Sequence, residues 1–155
     1  MLEDEVASIA KKMYDITGIQ DIYFDEVREG FKRPSLYFPA PEQEPAADTL
    51  SSFAYDNAMY VKVFGDTTKA AMEIAQQVIH EVSRRRNLIP VVDDDGEPTG
   101  KRFRLSSISS KAIEVGTAQV YVRWKSVYDY AGEAHTRAAK MFYNIIFKSE
   151  EVQDE

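Results

Sequence analysis

The sequence predicts an α+β fold, in which a mainly antiparallel sheet packs against two amphipathic helices. Residues 2–17 and 68–86 place apolar side chains at every third or fourth position, which indicates helices with one buried side. Residues 50–64 and 119–130 instead alternate apolar and polar side chains, which indicates strands with one buried face. No internal repeat is visible, so we expect one domain.

Composition narrows the class of protein. A chain of 155 residues with 44% hydrophobic and 29% charged side chains is ordinary for a single soluble domain. We expect residues 1–148 to form this domain and residues 149–155 to be an acidic, flexible tail. The absence of cysteine excludes disulfides and thiolate chemistry and suits a reducing cytoplasm. No apolar run approaches the ~18 residues of a membrane span, and the acidic N-terminus is unlike a secretory signal.

The net charge of −7 bears on possible partners. Tight general affinity for nucleic acid needs a basic footprint, and the overall balance here is acidic. The charge is compatible with a surface that nucleic acid passes without being held.

The first helix has clear signals at both ends. Acidic side chains occupy its first turn, where the helix dipole favours negative charge, and Gly18 is a suitable C-cap. Strands are expected next at residues 20–24 and 35–38, joined by a tight turn that faces water. Gly30 accepts a positive φ, and Pro34 holds the residue before it in an extended conformation. The turn presents two adjacent cations that can carry charge to a partner, Lys32 and Arg33.

Residues 39–48 contain three prolines and three acidic residues, a composition typical of an exposed, extended loop. In a ring-forming protein such a loop can reach a neighbouring subunit. A solvated excursion without a partner is the alternative interpretation.

The second helix is preceded by Asp66 and Thr67, either of which can act as its N-cap. It ends in three consecutive arginines, which either complement the helix dipole or meet an acidic neighbour or a phosphate. A short apolar segment at residues 88–92 leads into an acidic turn around an Asp-Gly pair. A strand follows at residues 101–105, and an end at residue 113 is the alternative. Several serines in the longer range predict a bulge or an edge position.

Residues 133–148 have the composition of a helix but end in a bulky apolar run, so helix and strand both remain open. We expect this apolar area to dock on the core or on another subunit.

Few side chains suggest chemistry. No phosphate-binding loop or nucleophile elbow occurs, and His80 and His135 fit ordinary boundary or surface positions better than catalytic ones. The acidic cluster that includes Asp93, Asp95 and Glu97 is a weak partial match to a calcium loop. A solvated hairpin tip is the favoured interpretation. We therefore predict no metal, no cofactor and no enzymatic activity.

Two short motifs carry a family resemblance. They are residues 29–34, which read EGFKRP, and residues 113–116, which read IEVG and precede an alternating strand. With the order of elements and the chain length, these motifs make residues 2–130 resemble the tail terminator proteins of long-tailed bacteriophages and prophages. The resemblance implies a tail-terminator-like α+β fold.

The resemblance also implies a structural virion protein. Tail terminators form a hexameric ring on the head-proximal end of the tail tube, assembled in the cytoplasm of the host bacterium. The ring stops tube polymerisation and presents a surface to the head–tail connector protein. DNA passes through its lumen without specific binding. The implied partners are therefore further copies of the chain, the tail tube protein and the connector protein.

The candidate contact residues follow from the predicted turn and loop. The proposed subunit or tube contacts are Arg28, Gly30, Phe31, Lys32, Arg33, Pro34, Pro39, Pro41, Glu42, Glu44 and Pro45. Further candidate charged contacts are Arg84, Arg85, Arg86, Asp93, Asp94 and Asp95. The alternatives are a neck or head-completion protein, a monomeric regulatory domain, and a small metal-dependent enzyme that uses the acidic cluster.

Overall fold

The computed structural model describes residues 2–27 and 29–131. Arg28, His135, the segment 133–148 and the acidic tail 149–155 lie outside the described residues. The elements are α1 (Leu2–Thr17), β1 (Ile22–Phe24), β2 (Ser35–Phe38), β3 (Glu42–Ala46), β4 (Ser52–Phe64), α2 (Thr68–Arg84), β5 (Leu88–Val92), β6 (Pro98–Glu114) and β7 (Thr117–Asp129). The predicted α+β fold is confirmed.

Capping interactions predicted from the sequence mark the end of α1 and the start of α2. Gly18 has a φ of +69° and donates its N–H to the carbonyl of Tyr14 at 2.8 Å, as expected of a C-cap. Thr67 is the N-cap of α2, because its hydroxyl accepts the N–H of Ala70 at 3.1 Å. The second helix stops at Arg84, two residues before the predicted end, and a left-handed turn with φ of +60° at Arg86 follows.

The seven described strands form a sheet in the order β1-β2-β4-β7-β6-β5, with β3 also paired to β4. The long strands β4 and β7 pair over their whole lengths without a register shift. Their apolar side chains form one face, against which both helices pack and on which Trp124 is only 1% exposed. We call this the helix face. The opposite side, here named the open face, carries residues such as Tyr60, Tyr121 and Arg123.

The connection between β1 and β2 differs from the tight turn that the sequence predicts. The two strands are parallel, with Ile22 opposite Leu36 and Phe24 opposite Phe38. A parallel pair needs a connection that returns to the starting end of the first strand. Residues 25–27 and 29–34 belong to this return, and we call them the crossover loop.

Residues 39–48 were predicted to be an exposed, extended loop, and the loop assignment is wrong because Glu42–Ala46 form β3, whose first four residues are exposed. This strand pairs antiparallel with β4, placing Glu42 opposite Ala58 and Ala46 opposite Ala54. Pro45 is compatible with the strand because β3 lies at the edge of the sheet, where a missing N–H can face away from the ladder. The local composition favours a loop, but hydrogen bonding to the long, otherwise unpaired edge of β4 stabilises a strand instead.

Strand β6 extends beyond the strand predicted at residues 101–105 and joins two parts of the sheet. Its first half pairs with β5 and its second half with β7. The register shifts between Leu105 and Ser107, which confirms the bulge predicted from the serines. A short turn through Val115 and Gly116 then leads into β7.

Candidate assembly surface

The crossover loop folds over the open face at one end of β4. Phe31 is half-buried, and its ring lies 4.5 Å from that of Phe64 and 6.4 Å from that of Tyr23, measured between centroids. The loop is further held by the Tyr37 hydroxyl, which donates to the carbonyl of Asp25 at 2.7 Å. Its position is therefore set by packing on the sheet.

Arg33 connects the crossover loop to two other turns. Its Nη1 donates to the carbonyl of Gly65 at 2.8 Å and to that of Gly116 at 2.9 Å. Its guanidinium carbon also lies 5.1 Å from the ring centroid of Phe31 and 5.4 Å from that of Phe64. The two segments that carry the family resemblance therefore meet at this side chain, which we call the Arg33 junction.

The two glycines of the Arg33 junction leave no room for a side chain. A Cβ on Gly116 would lie 2.8 Å from Nη1 of Arg33, and one on Gly65 would lie 2.6 Å from the backbone nitrogen of Ala71. The two turns also bind each other, since Gly65 donates its N–H to the carbonyl of Gly116 at 2.9 Å. Gly116 donates its own N–H to the hydroxyl of Thr68 at 2.9 Å. The junction is thus closely packed and internally bonded.

The structure separates the two cations that the sequence presents together. Lys32 is exposed, and its backbone N–H binds the hydroxyl of Tyr23 at 3.2 Å. Arg33 is exposed as well, and its guanidinium makes its hydrogen bonds within the chain. Its predicted contact with a neighbour stays a prediction. Pro34 is exposed and follows a cis peptide bond, and Gly30 has the expected positive φ of +77°.

The acidic edge strand, as we name β3 with its exposed carboxylates, adjoins the open face. Glu42 and Glu44 line a shallow groove of about 120 Å³ together with Asp56 and Arg123. Desolvation raises the pKa of the nearby Tyr60 phenol, and the negative charge of Glu42 raises this pKa further. Of the other predicted contacts in this region, Pro39 is half-buried, as is Pro41, and Pro45 is exposed.

A chain of hydrogen bonds on the helix face ties β3 to the first helix. It is a network that sequence reasoning missed. Gln43 donates to Asn57 at 3.0 Å, Asn57 donates to Ser126 at 2.7 Å, and Ser126 donates to Glu5 at 2.6 Å. Glu5 also accepts the indole N–H of Trp124 at 2.9 Å. The only available signal was one polar residue, Asn57, among the apolar positions of β4.

Replacing Glu5 with alanine is expected to lower the free energy of unfolding by about 2 kcal/mol, because the indole N–H and the Ser126 hydroxyl lose a shared acceptor. Urea unfolding followed by Trp124 fluorescence measures the change. Glu3→Ala, an exposed position in the same helical turn, is the control and should cost only a few tenths of a kcal/mol. Equal losses in the two variants would contradict the role assigned to the network.

The basic groove lies at the other edge of the sheet, between α1, the end of α2 and the β5–β6 hairpin. It has a volume of about 410 Å³, and four cations line it: Lys12, Arg85, Lys101 and Arg102. Arg84 instead pairs with Glu81 at 3.3 Å, and Arg86 is exposed in the turn after α2. Sequence reasoning singled out Arg85 but not the cations of β6, which become its neighbours only through the sheet pairing.

The acidic cluster forms the tip of the β5–β6 hairpin. The carboxylate of Asp93 accepts the backbone N–H groups of Asp95 and Glu97 at 3.0 and 2.9 Å, while Asp94 is exposed. This is the geometry of a side-chain-capped turn. Within residues 2–27 and 29–131, no group of three or more histidine or acidic side chains is arranged to hold a metal ion. His80 is exposed on α2, as expected.

The chain is similar to two proteins of Bacillus subtilis strain 168. It is 32% identical over 129 residues to the phage-like element PBSX protein XkdJ, covering 83% of this chain and 88% of XkdJ. This chain belongs to the XkdJ family. The uncharacterized protein YqbJ is also 32% identical, over 132 residues that cover 85% of this chain and 90% of YqbJ. No family model matches the chain.

The similarity to the XkdJ family extends over most of each protein. It therefore includes much of the described fold rather than one local motif. Neither described helix has the length and apolar content that crossing a bilayer requires.

Proposed function

We propose that the protein is a tail terminator, a structural protein of a phage or prophage particle. Copies of the chain form a ring that caps the head-proximal end of the tail tube, stops its polymerisation and joins it to the head–tail connector. The observation that carries this proposal is the Arg33 junction. The two motifs of the tail-terminator resemblance, far apart in sequence, bind each other there and position one surface loop.

Family membership supports the particle setting, since XkdJ is named as a protein of a phage-like element. The described chain has seven strands and two helices, which favours the terminator over a helix-rich neck connector. The net charge of −7 suits a lumen through which DNA passes without specific binding. Assembly by complementary surfaces requires neither a cofactor nor a catalytic site.

The geometry gives the candidate contacts different roles in this proposal. Lys32 and Pro34 are exposed on the crossover loop and would contact the tube or the next subunit. Arg33 instead acts as a positioning residue, because its guanidinium is bonded inside the subunit and holds the loop against the sheet.

The proposal is tested by adding the purified protein to tail tube protein from the same phage element and measuring tube lengths by negative-stain electron microscopy. We expect shorter tubes with a ring at one end. Lys32→Glu should require several-fold more protein for the same shortening, because it reverses an exposed charge at the contact.

Lys69→Glu is the matched control, since it makes the same charge change on a side chain that is 87% exposed on α2. Circular dichroism checks that both variants are folded. Tubes whose lengths do not respond to the unmodified protein, and that carry no ring, would contradict the proposed function.

A further inference from the structure

The basic groove concentrates positive charge, since four cations line it. Apart from its four cations, its lining residues are uncharged, including Leu88 and Pro90. Among the residues that the structure describes, no ion pair within 4.0 Å involves Arg85, Lys101 or Arg102. Burial lowers the pKa of Lys12, and the like charge of Arg85 lowers this pKa further, although the negative charges of Asp15 and Glu81 act in the opposite direction. The groove is therefore suited to a partner that brings carboxylates.

The acidic edge strand has the complementary charge and is accessible. Glu42 and Glu44 are exposed, and neither has an ion pair within 4.0 Å in the described part of the chain. Proline and charged side chains discourage uncontrolled strand pairing at a sheet edge, and β3 carries both. We therefore expect this strand to be recognised through its carboxylates rather than by the addition of another strand.

The two surfaces lie at opposite edges of the sheet. Strand β3 is at the edge of β4 that faces away from β7, whereas the groove is lined by β5 and β6 beyond β7. A contact between two different surfaces of identical subunits is heterologous, and repeated by rotation it closes a ring. Copies with a net charge of −7 repel each other, so opposite charges meeting at the contact would favour one orientation.

A second copy fits the groove better than a nucleic acid does. The hairpin that supplies Lys101 and Arg102 ends in exposed acids at Asp93, Asp94 and Asp95. These would repel a long polyanion that extends past the groove. A short acidic strand needs only the groove itself.

We propose that the copies associate head to tail, with the acidic edge strand of one seated in the basic groove of the next. This inference rests on the proposed ring and names the contact that closes it. Glu42 and Glu44 of one copy meet Arg85, Lys101 and Arg102 of its neighbour.

Charge exchange tests the contact. Variant A carries Glu42→Lys and Glu44→Lys, and variant B carries Lys101→Glu and Arg102→Glu, all at exposed positions. Sedimentation and light scattering are measured for each, alone and with tail tube protein. We expect each variant to need at least about tenfold more protein to assemble than the unmodified chain. Assembly should return when A and B are mixed, because alternating copies restore both pairs of charges.

Lys69→Glu/Lys111→Glu controls for net charge, since it makes the same change as variant B at exposed positions outside both surfaces. It should assemble normally. If the unmodified chain forms rings while A and B do so equally well, the proposed contact is wrong and the terminator proposal stands. Loss of DNA binding in B with unchanged assembly would also overturn it. If the unmodified chain stays monomeric even with tubes, the proposed function itself fails.

Discussion

Replacing Gly65 with alanine is expected to lower the free energy of unfolding by about 3 kcal/mol, the upper end of the usual cost of overpacking. A Cβ there would lie 2.6 Å from the nitrogen and 3.0 Å from the Cα of Ala71, both backbone atoms of α2. Relief requires the helix to move away from the turn, which also disturbs the carbonyl of Gly65 that binds Arg33. Urea unfolding measures the change as a lower midpoint.

Gly30→Ala separates steric crowding from backbone strain. Gly30 has a φ of +77°, but nothing lies within 4 Å of its added Cβ. Its replacement should therefore cost only the strain of a left-handed conformation, about 1 kcal/mol. If Gly65→Ala is no more destabilising than Gly30→Ala, the close approach between the turn and α2 does not require a glycine at position 65.

Replacing Arg33 with alanine is expected to destabilise the fold by about 3 kcal/mol, since each of two hydrogen bonds from a charged donor contributes about 1.5 kcal/mol. The carbonyls of Gly65 and Gly116 lose the guanidinium donor, and Phe31 loses a cation that packs over its ring. Arg33→Lys should recover only part of the loss, because an ammonium cannot reproduce the planar guanidinium. The urea midpoint again reports the change.

The adjacent Lys32 provides a matched comparison, because both residues are exposed and carry the same charge. The guanidinium of Arg33 binds two backbone carbonyls, whereas among the described residues the hydrogen bond of Lys32 is made by its backbone N–H. Lys32→Ala should change the free energy of unfolding by less than about 0.5 kcal/mol. Both variants should cap tail tubes less effectively. The Lys32 variant loses a proposed contact, whereas the Arg33 variant displaces the crossover loop. Similar stability losses at the two positions would contradict the division of roles.

Much of the fold could be predicted because its signals are local. The period of the apolar side chains and the capping residues define α1 over its observed range, Leu2–Thr17. The alternation in residues 119–130 likewise identifies β7 and its buried face, including Trp124. In each case the residues that determine the element lie within it or immediately beside it.

The features that could not be predicted depend on partners distant in sequence. Strand β3 forms because β4 offers it an edge, although prolines and acids argue against a strand. The parallel pairing of β1 and β2 is likewise a property of the sheet. For the candidate surface, the sequence pointed to Arg33 but not to Gly65, its hydrogen-bond acceptor. The basic groove could not be predicted either, because it forms only when the fold places β6 beside the end of α2.

The pairing of β4 with β7 also determines when the protein can fold during synthesis. Phe53 lies opposite Tyr128, so most of the described chain must leave the ribosome before the central ladder is complete. Translation proceeds at ~5–20 residues per second, so the edge of β4 that pairs with β7 stays uncovered for several seconds. Arg33 likewise cannot bind its second carbonyl until Gly116 has emerged. Chains competent for the proposed assembly should therefore appear only late in translation, so that incomplete chains cannot enter the proposed ring.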